Sequence, residues 1–563
     1  MVTKLRCIAF MPLVLLAACS GGTKVEPPDL IVTGTVVTLD PAKPRAEAVA
    51  VRDGRIVFVG SAADALTQRG PDTVLHELPA GAAIYPGFTD AHMHLAGVGA
   101  RELTLNLEGL TSKDAFLAKV AAAVAQAGDG EWILGRGWIE THWSPPEFPT
   151  RADLDRVAPK HPVWLTRADG HASVANSVAL ARAGVTRATL APAGGAILKG
   201  RDGEPNGMLI DNAQALVTKL VPADGGVEPV RALELAIARE AALGWTGVQD
   251  AGVDAATVER LRALCRDGKL SIRWYGALDA PSADAEALLT HGPQAPECDG
   301  RITLRALKFY MDGAVGSRGA ALLAPYTDAA GNTGLLRNEP QVLAEWYARA
   351  LRAGLQVETH AIGDRGNRIV LDLYQQVFAA VAPVERKVAA PRWRIEHAQL
   401  LDATDLPRFA ALGVIPSMQP SHAISDLFFA PRRLGLERLA GAYAWRRLID
   451  SGVPVPAGSD APVEQGDPRI EFYAAVARRS LDGQQLEGWH PELAMTRDEA
   501  LKSLTLWPAF AAFEEAERGS IELGKRADLT VFDRDLLTVP EAEILSAKPL
   551  LTVVGGEIVH PAR

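Results

Sequence analysis

The run Pro86-Gly87-Phe88-Thr89-Asp90-Ala91-His92-Met93-His94 sets two histidines two positions apart. On an extended chain that spacing turns both imidazoles to one face. Two neutral imidazoles converging on one point are the donor pair a zinc-class cation prefers. Further along, Lys308, His360, His397 and Asp460 each stand in or just after a short apolar, strand-like run. A single histidine in such a place is usually a hydrogen-bonded structural residue. Four histidines, a lysine and an acid at successive strand ends instead point to a metal centre that activates water.

The elements that must position them alternate. Strand-like runs occur at Ala83-Ile-Tyr, Thr246-Gly-Val-Gln, Ile272-Arg-Trp-Tyr-Gly, Leu304 to Tyr310, Leu355-Gln-Val-Glu-Thr, Trp393-Arg-Ile-Glu, Val414-Ile-Pro-Ser and Val453-Pro-Val-Pro-Ala. Amphipathic stretches lie between most of them, at Pro229–Leu243, Val258–Arg266, Glu339–Ala353, Asn367–Ala382 and Leu406–Leu412. Eight strands with helical crossovers predict a parallel (β/α)8 TIM barrel over residues 85–510. About 150 residues separate the first run from the second, far beyond a crossover, so residues from about 100 to 228 read as an insertion. Its Trp132, Trp138, Trp143 and Trp164 are expected to cover the barrel mouth. Residues 30–84 and 511–563 share a different texture of short β-branched runs and tight turns, among them Asp53-Gly54 and Gly555-Gly556. Each segment has too few strands to stand alone, so the two are expected to pair into one small β-sandwich.

The composition of the 563 residues is that of an ordinary globular protein, 48% hydrophobic and 22% charged. A net charge of −10 argues against nucleic acid as a partner and leaves a small-molecule substrate. Of four cysteines, Cys7 and Cys19 lie in the leader; Cys265 and Cys298 read as buried small hydrophobes, with one optional bridge left open. Lys4 and Arg6 precede a short apolar run that ends Leu16-Ala17-Ala18-Cys19. That pattern resembles the bacterial lipobox, which implies a signal peptide over 1–19, acylation of Cys19 and a tether over 20–29. Ser20, rather than Asp, after the cysteine implies an exported protein at the outer membrane. A plain signal peptide with an Ala-x-Ala-like cleavage site stays open. No later stretch reads as a membrane span, so contact with the bilayer is expected only through the anchor.

Several longer motifs occur in order: the Pro86–His94 run, Leu307-Lys308-Phe-Tyr-Met-Asp312-Gly313, His360-Ala-Ile-Gly363-Asp364-Arg365, Arg394-Ile-Glu396-His397-Ala398-Gln399, Gly458-Ser459-Asp460-Ala461-Pro462, and Gly519 through Leu529. Through them the chain resembles the amidohydrolase superfamily, and most closely its family 3, the YtcJ-like hydrolases. The resemblance implies that His92 and His94 bind a first metal and that His360 and His397 bind a second. It implies that Lys308 is carboxylated to a carbamate bridging both ions, and that Asp460 is the remaining ligand and the proton acceptor. The cofactor implied is one or two divalent ions, zinc first, with manganese, iron and cobalt also suited to such donors. The reaction implied is hydrolysis of an amide, N-acyl, formamide or cyclic amide C–N bond.

Deamination of a heterocycle at a single metal, with an unmodified lysine, is an alternative on the same fold. A surface-anchored binding protein with a degenerate barrel is another. His171, in Asp169-Gly170-His171, is a candidate substrate contact, as are Ser317, Arg318 and His422. Asp364 is a candidate to orient a neighbouring ligand by a hydrogen bond. The spacing of residues says nothing about oligomeric state.

Overall fold

The structure, a computed structural model, describes residues 26–221, 228–483 and 489–561. The signal peptide, Cys19 and most of the tether lie outside the described residues. Among those described, no helix is long and apolar enough to cross a membrane.

Seven parallel strands form the barrel: β1 (Phe88–Met93), β2 (Trp245–Val253), β3 (Arg273–Asp279), β4 (Ile302–Tyr310), β5 (Gln356–Ala361), β6 (Arg394–His397) and β7 (Ile415–Ser417). Both faces of such a sheet are covered, and β1 and β5 are accordingly buried at every residue. The run at Val453-Pro-Val-Pro-Ala, expected as the eighth strand, closes the barrel without forming a regular one. Pro454 and Pro456 lack the N–H groups a ladder needs. The segment is still hydrogen-bonded on both sides: the Met418 N–H reaches the Pro456 carbonyl at 3.0 Å, and the Ala91 N–H reaches the Ala457 carbonyl at 3.1 Å. Gly458 permits this approach, because a Cβ there would lie 2.3 Å from the His92 backbone nitrogen.

Ala83–Pro86, read from sequence as the first barrel strand, belongs instead to the terminal domain. It pairs with Leu30–Val37 on one side and Leu529–Phe532 on the other, within an eight-stranded sheet drawn from both ends of the chain. The apolar pattern of a barrel strand and of a sheet-centre strand is the same, so only the pairing separates them. Val32, Val49 and Ile56 from one terminus share a core with Leu529, Val531 and Val553 from the other.

The insertion follows β1 as expected. It has its own six-stranded sheet, between Leu105–Asn106 and Pro205–Asp211. The helix Leu95–Leu103 enters it and the helix Pro229–Leu243 leaves it, the two lying so close that a Cβ on Gly99 would stand 1.8 Å from the Ala232 carbonyl. The tryptophans do not cover the barrel mouth. Trp138 and Trp143 fill one core of the insertion, Trp164 fills a second, and Trp132 packs against that second core. Their apolar area is better hidden inside the sheet than held over water. Cys265 and Cys298 are joined as a disulfide, a correction to their reading as separate buried thiols.

Candidate metal centre

At the C-terminal end of the barrel, two sequence motifs are tied together by one carboxyl group. Asp90 on β1 accepts hydrogen bonds from the His92 N–H at 3.1 Å, the Ser459 N–H at 2.9 Å and the Ser459 hydroxyl at 2.5 Å. Burial pushes Asp90 up to about 7, against these bonds. Ser459 is thereby fixed against β1, and the next residue, Asp460, donates its N–H to the His92 carbonyl at 2.6 Å. Asp460 takes the left-handed conformation, φ 58°, which costs a non-glycine residue free energy and marks a functionally constrained position.

Asp460 sits at the centre of the imidazoles. Its Oδ1 lies 3.2 Å from His94 Nε2 and 3.6 Å from His92 Nε2; its Oδ2 lies 3.6 Å from His422 Nε2. Lys308 Nζ, on β4, is 3.5 Å from His92 Nε2. His397 ends β6, its ring 4.8 Å from that of His92 and 4.5 Å from that of His360 on β5. Thus the six residues expected from the sequence are brought to one place, and two compact donor sets stand out: His92, His94 and Asp460, and His397, His422 and Asp460. His422, expected only as a substrate contact, is in the second set, its ring stacked on that of His397 at 5.8 Å. His360 is in neither; its Nε2 faces the Gly313 carbonyl at 3.5 Å and Asp312 Oδ1 at 3.7 Å.

The other ring nitrogens are oriented from behind. His92 Nδ1 is hydrogen-bonded to Glu396, and His397 Nδ1 is 2.7 Å from Gln419 Oε1. Neither Glu396 nor Gln419 is assigned such a role from sequence. Strand alternation would put Glu396 and His397 on opposite faces, but His397 (φ 74°) and Ala398 (φ 41°) leave the strand conformation, so both side chains reach the barrel interior. Asp364 does not orient a ligand; it accepts the N–H groups of Leu323 and Arg365.

The electrostatics suit a cation. Burial, with Lys308 nearby, lowers His92 to about 4, and burial holds His360 and His397 well below their ordinary value, so these imidazoles are neutral donors. For Asp460 burial pushes the other way, but the imidazoles of His94, His92 and His397 around it win and keep it a carboxylate. Burial also lowers Lys308, opposed by Glu396 and Asp460. Asp460 Oδ1 and His422 Nε2 are buried with no hydrogen-bond partner. Unpaired polar atoms cost free energy in the interior, and a divalent ion would satisfy both. The residues present therefore fit a metal.

These groups open into a cavity of about 630 Å³ whose far wall comes from the insertion. His171 lines it, its Nδ1 2.6 Å from Asp211 Oδ1. Ser317 and Arg318 do not. Ser317 bonds the Ala314 carbonyl, and Arg318 turns away to pair with Asp328 at 2.9 Å.

Comparison with known proteins agrees with this geometry. Residues 80–560 match the sequence profile of the amidohydrolase family. The chain is 34% identical to Protein LONG AFTER FAR-RED 3 of Arabidopsis thaliana, over 98% of this chain and 96% of that one. It is 33% identical to the putative amidohydrolase YtcJ of Bacillus subtilis (94% and 98%). It is 30% identical to the N-substituted formamide deformylase of Arthrobacter pascens (94% and 97%). Among solved structures it is similar to an uncharacterized metal-dependent hydrolase of Pyrococcus horikoshii, with a TM-score of 0.71 and 26% identity over 91% of this chain and 99% of that one. The chain belongs to the amidohydrolase family, and it is a metal-dependent hydrolase.

Proposed function

We propose that this enzyme hydrolyses the C–N bond of a small N-acyl or N-formyl compound, using one or two divalent ions, zinc first. The observation that carries the reading is the placement of one carboxylate, Asp460, against His92, His94 and His422, with His397, His360 and Lys308 beside them. The similarity to a formamide deformylase over nearly the whole chain supports this class of bond.

A divalent ion bound there supplies Lewis acidity, bringing the pKa of water from about 15.7 towards roughly 7. The protein supplies the rest. Asp460, kept ionised, accepts the proton of the attacking water and returns it to the departing nitrogen, an effect typically of about 10²–10⁴-fold. His92, fixed through Glu396, and His397, fixed through Gln419, present only their Nε2 atoms. Lys308, buried to 1% exposure, is the residue proposed to be carboxylated: its neutral amine adds to CO₂ and loses a proton, leaving an anionic oxygen donor. Cys19 is proposed as the acylated anchor of an exported protein, and the Cys265–Cys298 disulfide suits an oxidising compartment.

The test is metal content together with product. Protein beginning at Cys19 and lacking the acyl chain is purified without chelator and with bicarbonate, then offered N-substituted formamides and amides. About two ions per chain, with formate or carboxylate and amine released, is the expected result. About one ion, with ammonia released only from heterocyclic amines, would replace this reading with deamination.

A further inference from the structure

The wall of the metal-centre cavity carries two arginines that form no ion pair among the described residues. Three arginines line the cavity: Arg136, Arg167 and Arg337. Arg167 is fully committed, to Glu140 at 2.8 Å and Asp169 at 2.5 Å. Arg136, on the insertion strand Ile133–Trp138, makes one hydrogen bond, from Nη2 to the Ala168 carbonyl at 3.1 Å. Its Nε is buried without a partner, and no carboxylate lies within ion-pair distance among the described residues. Arg337 is similar. Its Nε donates to Asn212 Oδ1 at 3.2 Å, its guanidinium lies 4.5 Å from the Tyr310 ring centroid, and it has no acidic partner within ion-pair distance among the described residues either. The Tyr310 ring in turn stands 5.8 Å from that of His360, so this cation is one aromatic layer from the metal centre.

Apart from Asp460 of the metal centre, the acids of the same cavity each have a partner within the protein. Glu108 pairs with Arg101, Asp169 with Arg167 and Asp211 with His171, while Asp279 accepts the Tyr310 hydroxyl at 3.0 Å. Asp426 is hydrogen-bonded by Gln399 and Tyr443, and Glu464 accepts the Ser425 hydroxyl at 2.5 Å. Burial pushes Asp426 up to about 6 and Glu464 to about 7, so neither offers the arginines a firm counter-charge. A guanidinium kept partly dry with free N–H donors is a site for a planar anion, because its fork matches a carboxylate.

We infer that the substrate carries a carboxylate, or a like planar anion, in addition to the scissile bond, and that Arg136 grips it, with Arg337 on the same cavity adding positive charge. The inference rests on the hydrolase reading above and adds the substrate's charge. It also gives the insertion a task, since the barrel supplies the reacting centre and the insertion supplies Arg136. Arg136, not the Arg318 expected from sequence, is then the specificity-determining arginine.

The experiment uses the metal-loaded full chain and matched pairs: N-formyl and N-acetyl ω-amino carboxylic acids of increasing length, each beside its ω-carboxamide. Both kcat/KM and binding by calorimetry are measured for the wild type, Arg136→Gln, Arg136→Lys, Arg337→Gln and the control Arg318→Gln. The carboxylate is expected to be preferred at one chain length by roughly 10–100-fold, the range of a charge-assisted hydrogen-bonded pair. Arg136→Gln should abolish the preference while leaving the carboxamide rate within a few-fold, Arg136→Lys should restore part of it, Arg337→Gln should reduce it, and Arg318→Gln should keep it. Equal use of both members by the wild type, or an equal loss on both in Arg136→Gln, overturns the inference and leaves the hydrolase reading standing. If neither member is turned over, calorimetry decides: Arg136-dependent binding of the carboxylate supports the anion site and removes the amide reading. Absence of any difference in binding removes the anion site.

Discussion

The two ends of the barrel both bury charge, yet they treat it in opposite ways. At the N-terminal end, Arg273 at the start of β3 meets Asp528 of the terminal domain through two parallel hydrogen bonds, 2.6 and 2.8 Å long, and Asp528 also accepts the Gly555 N–H. Burial would raise Asp528, but Arg273 outweighs it and holds the carboxyl below its usual range. Each of these strong donors has its acceptor, and the result is a rivet between two domains. At the C-terminal end, Asp460 and His422 keep buried atoms without partners. Satisfied charge fixes structure; unsatisfied charge facing a cavity is held for a ligand.

The largest effect should come from Asp460→Asn, which keeps the shape and removes the charge. Turnover should fall by about 10²–10⁴-fold with the melting temperature little changed, measured by steady-state kinetics and calorimetry. A variant within a few-fold of wild type would break the contrast at its functional end. At the structural end, Asp528→Ala leaves the buried Arg273 without its counter-charge, a loss of about 3–5 kcal/mol in denaturant unfolding. The kcat of the folded fraction should stay unchanged; a kcat that fell with stability would mean that the two ends are not separate.

Glu396→Gln tests the boundary between them, since Glu396 is both paired to Arg394 and bonded to His92. Metal affinity, read by competition with a chromophoric chelator, should weaken by about 10–100-fold. The smallest effect concerns Glu240, whose Oε2 is unpartnered although it lines no part of the cavity. Burial outweighs the neighbouring Arg239 and pushes this carboxyl from 4.5 up to about 8, so it resolves its isolation by staying protonated. Its contribution is fully present below the unfolded value near 4.5 and is lost as pH rises through about 8. Relative to Glu240→Gln, wild-type stability should therefore decline by roughly 1 kcal/mol per pH unit inside that window. A flat difference would show that Glu240 is ionised in the folded protein.

Much of the scaffold was legible in the chain. The helix Leu406–Leu412 and the helix Pro229–Leu243 fall where their apolar spacing and flanking glycine and proline put them. His92-x-His94 was legible because a two-residue spacing on a strand fixes direction locally. What was not legible depended on departures from that regularity. Glu396 faces inward because the strand breaks at His397, and the eighth barrel position is irregular because its prolines cannot donate. Arg318 and Arg136 look alike in a string of letters; one has Asp328 beside it and the other has a cavity.

The sequence by itself determined the kinds of group at the centre, the barrel that gathers them and the existence of an insertion, because these follow from residue type and short-range periodicity. Only the tertiary structure decided which groups meet. His92 and Glu396 are 304 residues apart, Asp90 and Ser459 are 369 apart, and barrel closure joins them. It also placed His422 beside Asp460, bridged Cys265 to Cys298 and left Arg136 Nε without a partner. Partnership is a property of distance and burial, and a chain acquires both only when its sheets close.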